Sequence, residues 1–217
     1  MALVGGGTWA YFSDPEAVAD NVFTAGTLDV KLTDDNETDS DGVTATWGNT
    51  ALRPDDADVG DDTGANLSEG VATLTISNDG SIDGYLDLSN FSVVDDENAA
   101  VVSEAEGDTA DDGDLGPLVD VWMFWDGNNN GTFEAATDTD IWGTNGGEGV
   151  GFTAAVTPVK LDTLTGDVNS SIAIAAGTDT YITMYWRWPD AGDDSDNDAQ
   201  GDEATLSFSV DLGSIAD

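Results

Sequence analysis

Thr73-Leu74-Thr75-Ile76-Ser77 and Leu206-Ser207-Phe208-Ser209-Val210 decide the fold. In both, apolar and small polar residues alternate with a period of two, which lays one face of a β-strand on a core and leaves the other in water. Outward from them, similar short runs recur between Asp/Gly/Asn clusters. Strands are expected at 8–12, 21–32, 43–47, 71–77, 85–94, 100–103, 118–125, 151–156, 171–175, 180–188 and 204–212. No window carries a convincing helical period. A short helix is expected at 15–20, with Ser13 or Asp14 as cap and Pro15 in the first turn. About ten strands with no internal repeat imply an all-β, jelly-roll-like two-sheet β-sandwich over residues 21–217, preceded by an N-terminal arm over 1–20. Acidic linkers separate the strands at 33–42, 54–64, 95–116 and 190–202.

The chain has 217 residues, with 45 acidic against 4 basic side chains and a formal net charge of −41. Asp outnumbers Glu by 36 to 9, and Lys31, Lys160, Arg53 and Arg187 are the whole basic complement. Self-repulsion on this scale opposes a compact state in dilute buffer. At roughly 1 M salt the Debye length falls to about 3 Å and the penalty largely disappears, so a halophilic setting is expected. Disorder is the competing reading of high charge. Seven Trp and a 39% hydrophobic content supply a core and argue against it. The charge repels nucleic acid and anionic membrane surfaces and attracts divalent cations.

Histidine and cysteine are both absent. Disulfides, thiolate chemistry, Ser-His-Asp and Cys-His catalysis and every His-ligated metal site are thereby excluded. No apolar run approaches the roughly 20 residues of a membrane-spanning helix.

One motif has metal chemistry in it. In Asp126-Gly-Asn-Asn-Asn-Gly-Thr-Phe-Glu134, oxygen side chains at the first, third and fifth positions precede Gly131, as at the start of a calcium loop. Asp126, Asn128 and Asn130 would give side-chain oxygens, Thr132 its carbonyl and Glu134 the ninth position, with Asp138 or Asp140 closing the shell of a structural Ca2+. Thr137 stands at the twelfth position, so this is not an EF-hand. The other reading is an Asn/Gly-rich turn with no ion. Residues 190–198 form a second acidic loop with less specific spacing.

On a strand over 180–188, Ile182, Met184, Trp186 and Trp188 share the core face, and Tyr181, Thr183, Tyr185 and Arg187 the other. Arg187 suits an ion pair or a cation–π contact. The aromatic face could alternatively stack on sugar. Asn-x-Ser/Thr sequons at Asn36, Asn66, Asn90, Asn130 and Asn169 are candidate glycosylation sites, and a glycan on Asn130 would compete with calcium.

The first residues, Ala2-Leu-Val-Gly-Gly-Gly-Thr-Trp-Ala-Tyr-Phe-Ser-Asp14, allow two readings. Thr8 and Ala10 have the −3 and −1 spacing of an export-signal cleavage site. If the segment is instead retained, it is an apolar, β-prone arm that needs a partner. Together with Asn21-Val-Phe-Thr-Ala-Gly-Thr-Leu-Asp-Val30 it closely resembles the start of the TasA/camelysin family of exported biofilm-matrix fibre proteins, a group that archaeal bundling pili also resemble. Asn66-Leu-Ser-Glu-Gly70 and Ser77-Asn-Asp-Gly-Ser81 are similar to that family's "NLxPGD…NxGS" stretch, with Glu69 where proline is usual. Trp188-Pro189, Asp196-Asn-Asp-Ala-Gln-Gly-Asp202 and the final Leu-Ser-Phe-Ser-Val resemble its C-terminal pattern.

The resemblance implies an extracellular, cell-surface subunit that polymerises head to tail with itself. The N-terminal strand of one copy would complete the sheet of the next by donor-strand complementation. Leu3, Val4, Gly5, Gly6, Gly7, Trp9, Tyr11 and Phe12 are the donor candidates, the glycines letting the backbone lie deep in a groove. Neighbouring filaments would bundle through divalent cations on the acidic faces. The alternative is a secreted monomeric sandwich that binds matrix glycans or the surface layer. Camelysin is also classed among metallopeptidases, but a chain with no His-Glu-x-x-His motif and no histidine is not expected to be an enzyme.

Overall fold

The computed structural model describes residues 28, 30–33, 69–96, 115–189, 199 and 202–213. The expected strands at 8–12, 43–47 and 100–103, the helix at 15–20 and the donor candidates lie outside them. Eleven strands are described: β1 (Val30–Thr33), β2 (Glu69–Asn78), β3 (Gly84–Asp96), β4 (Asp120–Asp126), β5 (Thr139–Trp142), β6 (Thr144–Asn145), β7 (Val156–Thr157), β8 (Val159–Lys160), β9 (Gly166–Ile174), β10 (Asp179–Arg187) and β11 (Glu203–Gly213). A four-residue helix, α1 (Leu115–Leu118), and a 3-10 turn over Leu161–Thr163 are the helical pieces.

The strands make two antiparallel sheets. The larger has the order β1-β2-β10-β4-β5, with β8 alongside β4, and the smaller has the order β11-β3-β9. β6 and β7 form a separate small hairpin. The expected all-β two-sheet architecture is therefore present. Its core lies between the sheets: Leu74 and Ile76 of β2, Val121, Met123 and Trp125 of β4, and Ile182 and Met184 of β10 meet Leu86, Leu88 and Phe91 of β3. The alternation read in 73–77 does its work, because Leu74 and Ile76 are buried while Thr73 and Thr75 are not.

β3 departs from simple alternation. Leu86, Leu88 and Phe91 are all buried, although the step from 88 to 91 should reverse the face. A bulge resolves this: Ser89 pairs with Ser209 and Ser92 with Ser207, so two residues of β3 stand opposite Phe208 alone. Asn90 takes a φ of 56° there, a left-handed conformation that Asn tolerates better than most residues. Gly70 is needed for a different reason. A Cβ on it would come within 2.3 Å of the indole of Trp186 on the neighbouring strand.

Several boundaries differ from the sequence reading. Residues 151–155 are bends and turns, leaving only Val156–Thr157 of the expected 151–156 strand. Leu118 ends α1 instead of opening β4. The supposed linker 95–116 contributes Asp95 and Asp96 to β3 and Leu115 and Gly116 to α1.

Candidate functional site

β4 is buried along its whole length, from Asp120 to Asp126. Its inner residues enter the main core. Its outer residues, Trp122 and Phe124, lie in a second apolar cluster with Phe133 and Tyr185, and Phe152 and Val156 pack on its margin. Trp122 stacks on Phe124 with centroids 4.7 Å apart, and Phe133 meets Phe124 edge-on at 5.3 Å. The chain after β4 thus folds back over the outside of the large sheet. The face bearing Thr183 and Tyr185, read as a candidate sugar-stacking surface, is covered; both residues are buried.

That cover is anchored by the 126–140 loop. Asp126 is fully buried. Its Oδ1 accepts the backbone N–H groups of Asn128 and Asn130, each at 3.3 Å, and its Oδ2 accepts Gly131 N–H at 2.8 Å and the Thr183 hydroxyl at 3.0 Å. Asn129 and Gly131 take φ values of 55° and 68°, which turn these amides inward. Asp138 closes the loop from the other end, accepting Gly127 N–H and the Thr137 hydroxyl on Oδ1 and Glu134 N–H on Oδ2. Buried carboxylates are thus held by backbone donors, which is how an anion without a cationic partner stays satisfied. The Tyr185 hydroxyl donates to the Gly131 carbonyl. Burial pushes its phenol pKa up, and the nearby Asp126 charge adds to that.

The structure brings all seven expected calcium ligands into one loop, but it turns their carboxylates toward hydrogen-bond donors. Glu134 accepts Asn128 Nδ2 at 3.0 Å and Asn130 Nδ2 at 2.8 Å. Asp140 accepts Trp122 Nε1 and Asn145 N–H. Asn130 Oδ1 accepts Thr132 N–H. Among the described residues, no group of three or more carboxylates is placed to hold an ion. In this arrangement the loop is a hydrogen-bonded clasp, and a calcium ion would have to share these oxygens with the donors or displace them. Nothing in the triplet spacing distinguishes the two uses. Both need oxygens at positions one, three and five.

Asp120 gathers two of the four basic residues. Its Oδ2 accepts Arg187 Nε and Nη2, each at 3.0 Å, and its Oδ1 lies 2.9 Å from Lys160 Nζ. Arg187 also sits over the Phe152 ring, 4.4 Å from its centroid. The ion pair and the cation–π contact expected of Arg187 are both present.

Asp95 is the penultimate residue of β3, and its Oδ2 accepts Gly116 N–H of α1 at 2.6 Å. Its Oδ1 is buried with no donor among the described residues. Burial raises its pKa, with the Asp202 and Asp162 charges adding to the shift. A carboxyl whose pKa is raised on folding carries its full penalty above the folded pKa and none below the unfolded value. Asp95→Asn keeps an acceptor for Gly116 and removes the charge. The variant is expected to melt higher at neutral pH, with the gain closing as pH falls through the Asp95 titration. Thermal melts across pH check this, and a gain that persists in acid refutes it.

Of the sequon residues, Asn90 and Asn130 are exposed, Asn169 lies in β9, and Asn36 and Asn66 are outside the described residues. The 190–198 loop is outside them as well.

A family model described as camelysin metallo-endopeptidase matches residues 1–44. This is 44 of 217 residues, and it covers the first segment on which the resemblance was read. No curated protein matches the chain. The description implies a catalytic metal. With no histidine or cysteine in the chain and no carboxylate cluster placed for an ion among the described residues, the described residues do not fit one.

Proposed function

We propose that this chain is a structural subunit of an extracellular, cell-surface filament, joining head to tail through its N-terminal segment, and is not a peptidase. The observation that carries the reading is the family match over residues 1–44, which falls on the apolar arm and not on a catalytic set. Two further features support it. Residues 1–13 are the longest stretch of the chain without an acidic or basic side chain, in a molecule of net charge −41. The described body is a two-sheet sandwich, an architecture whose edges accept an added strand. A donor segment and an acceptor edge are different parts of one subunit, so the contact would be heterologous and would propagate as a filament. Divalent cations would bridge the acidic faces of neighbouring filaments.

Negative-stain microscopy at roughly 1 M salt, where exposed charge is screened, tests the reading. The full chain is expected to form uniform filaments. A chain lacking residues 1–12 is expected to stay monomeric with an unchanged circular dichroism spectrum. Filaments from the shortened chain would remove the N-terminal segment from the mechanism. A full chain that stays monomeric at every salt concentration would remove the filament.

A further inference from the structure

We infer that the strand-accepting edge is β11, and that its occupant is the uncharged segment 2–12 of a second copy of this chain. The inference rests on the filament reading and assigns the surface it leaves open. Among the described residues the two sheets offer five outer strands: β1, β5 and β8 in the large sheet, β11 and β9 in the small one. β1 covers only Thr75–Asn78 of β2, so the upper half of β2 is a sixth candidate.

Burial separates them. Along β11 every second residue faces the core, and Ala204, Leu206, Phe208, Val210 and Leu212 all stay only half-buried there. Their neighbours on β3, Leu86 and Leu88, are fully buried. The unbroken row of half-buried residues is therefore a feature of β11 and is not shared by these central positions of β3. On the upper half of β2 the inward residues Leu74 and Ala72 are already buried, at 1% and 9%. On β9, Ile174 is buried at 3% while Val168 and Ile172 stay half-buried, but the strand has nine residues and joins β3 through two shifts of register. β1 and β5 have four described residues each and β8 has two, too few to pair with a long segment. β11 has eleven, Glu203–Gly213, the length of segment 2–12.

Charge agrees with length. The outward face of β11 carries Glu203 and Asp211 among Thr and Ser. In a chain this acidic, most candidate strands would bring further carboxylates against them, whereas segment 2–12 brings none. Its apolar residues would complete the half-covered row, and its backbone would pair along the edge. Donation from a second copy also converts an exposed, partly apolar edge into a paired one, removing an aggregation hazard.

The chain has no cysteine, so introduced pairs report without background. Residues 7 and 8 of a strand point to opposite faces, so one of them shares the outer face with Thr205, Ser207 and Ser209, all exposed. Gly7→Cys and Thr8→Cys are each combined with Thr205→Cys, Ser207→Cys or Ser209→Cys. The comparison partners are Val71→Cys on β2, Thr139→Cys on β5 and Ala173→Cys on β9, at exposed positions. Mild oxidation of assembled protein should give a ladder of disulfide-linked multimers from the β11 pairs. It should exceed the comparison pairs about tenfold, because adjacency within about 7 Å is needed for the bond.

Hydrogen exchange on the unaltered chain gives a second reading: assembly should slow exchange over residues 203–213. Filaments whose ladder arises from position 71, 139 or 173 overturn the β11 assignment and leave the filament reading standing. A disulfide confined within one chain shows that the arm covers its own β11, and overturns the second-copy occupant. Filaments with no ladder and unchanged exchange at β11 overturn the assignment too. If the unaltered chain forms no filaments, the reading beneath the inference has failed first.

Discussion

Replacing Asp126 with Ala is expected to cost about 3–4 kcal/mol of folding stability, on the order of 10 °C in melting temperature for a chain of this size. The side chain is fully buried and accepts four hydrogen bonds, from Asn128, Asn130 and Gly131 N–H and from the Thr183 hydroxyl. Each orphaned buried donor costs about 1–3 kcal/mol, reduced where the loop can open to water. Thr183 has little such relief, since it lies under the cover and is itself fully buried. Loosening the loop also exposes Phe133, which closes the outer apolar cluster over Trp122 and Phe124. Asp126→Asn keeps one acceptor oxygen and should lose about half as much.

The same melts decide what the loop is for. Because its carboxylates already face N–H and O–H donors, the unaltered protein should melt at one temperature in calcium and in chelator, with total ionic strength held constant. A calcium-dependent rise that disappears in Glu134→Gln would show that an ion, and not the amides, organises 126–140. Near-ultraviolet circular dichroism provides the local signal, because Trp122 and Phe124 stack within the cluster that the loop covers.

The parts of this fold that could be read in the sequence are those set by burial on one side. Thr73–Ser77 and Leu206–Val210 alternate because one face of each strand meets the core, and β2 and β11 lie where that pattern places them. Val121-Trp-Met-Phe-Trp125 is apolar throughout because β4 is covered on both faces, a pattern that states burial but not what provides it. The cover comes from the 127–158 segment, whose Gly- and Asn-rich composition reads as loop apart from the strand expected at 151–156. Its two-residue strands pair with each other, and an isolated bridge joins Phe133 N–H to the Gly149 carbonyl; neither has a periodicity to detect. The β3 bulge was hidden for a related reason. Leu86, Leu88 and Phe91 break phase only because Asn90 takes a left-handed φ, which is a backbone event without a hydrophobic signature. At the 126–140 loop the sequence identified the residues but not their orientation. Oxygens at alternate positions bind a cation or accept amide protons equally well, and only the turn geometry chooses.

Lowering the salt should unfold this protein without any substitution. At a net charge of −41 the folded chain confines far more like charge than its ion pairs can offset. Among the described residues, Lys31 pairs with Asp79, and Lys160 and Arg187 share Asp120. An exposed pair such as Lys31–Asp79 contributes about 0–1 kcal/mol and the two partners of Asp120 offset little of the remaining charge, so the deficit must be met by screening. The Debye length shrinks from about 10 Å at 0.1 M salt to about 3 Å at 1 M. The melting temperature should therefore climb steeply over that range and then flatten. A salt that acts by exclusion from apolar surface, such as sulfate, would continue to stabilise beyond the plateau. Comparing chloride with sulfate at equal ionic strength separates the two effects. A melting temperature unchanged between about 0.1 M and 1 M chloride would refute the charge argument. Assembly adds a second demand. Joining subunits brings polyanionic bodies together, so filaments should need a higher salt concentration than folding does. Light scattering and circular dichroism followed in one salt titration should show folding first and polymerisation second. If the N-terminal segment makes the joint, the folding midpoint should stay put when residues 1–12 are deleted, while the scattering transition is lost.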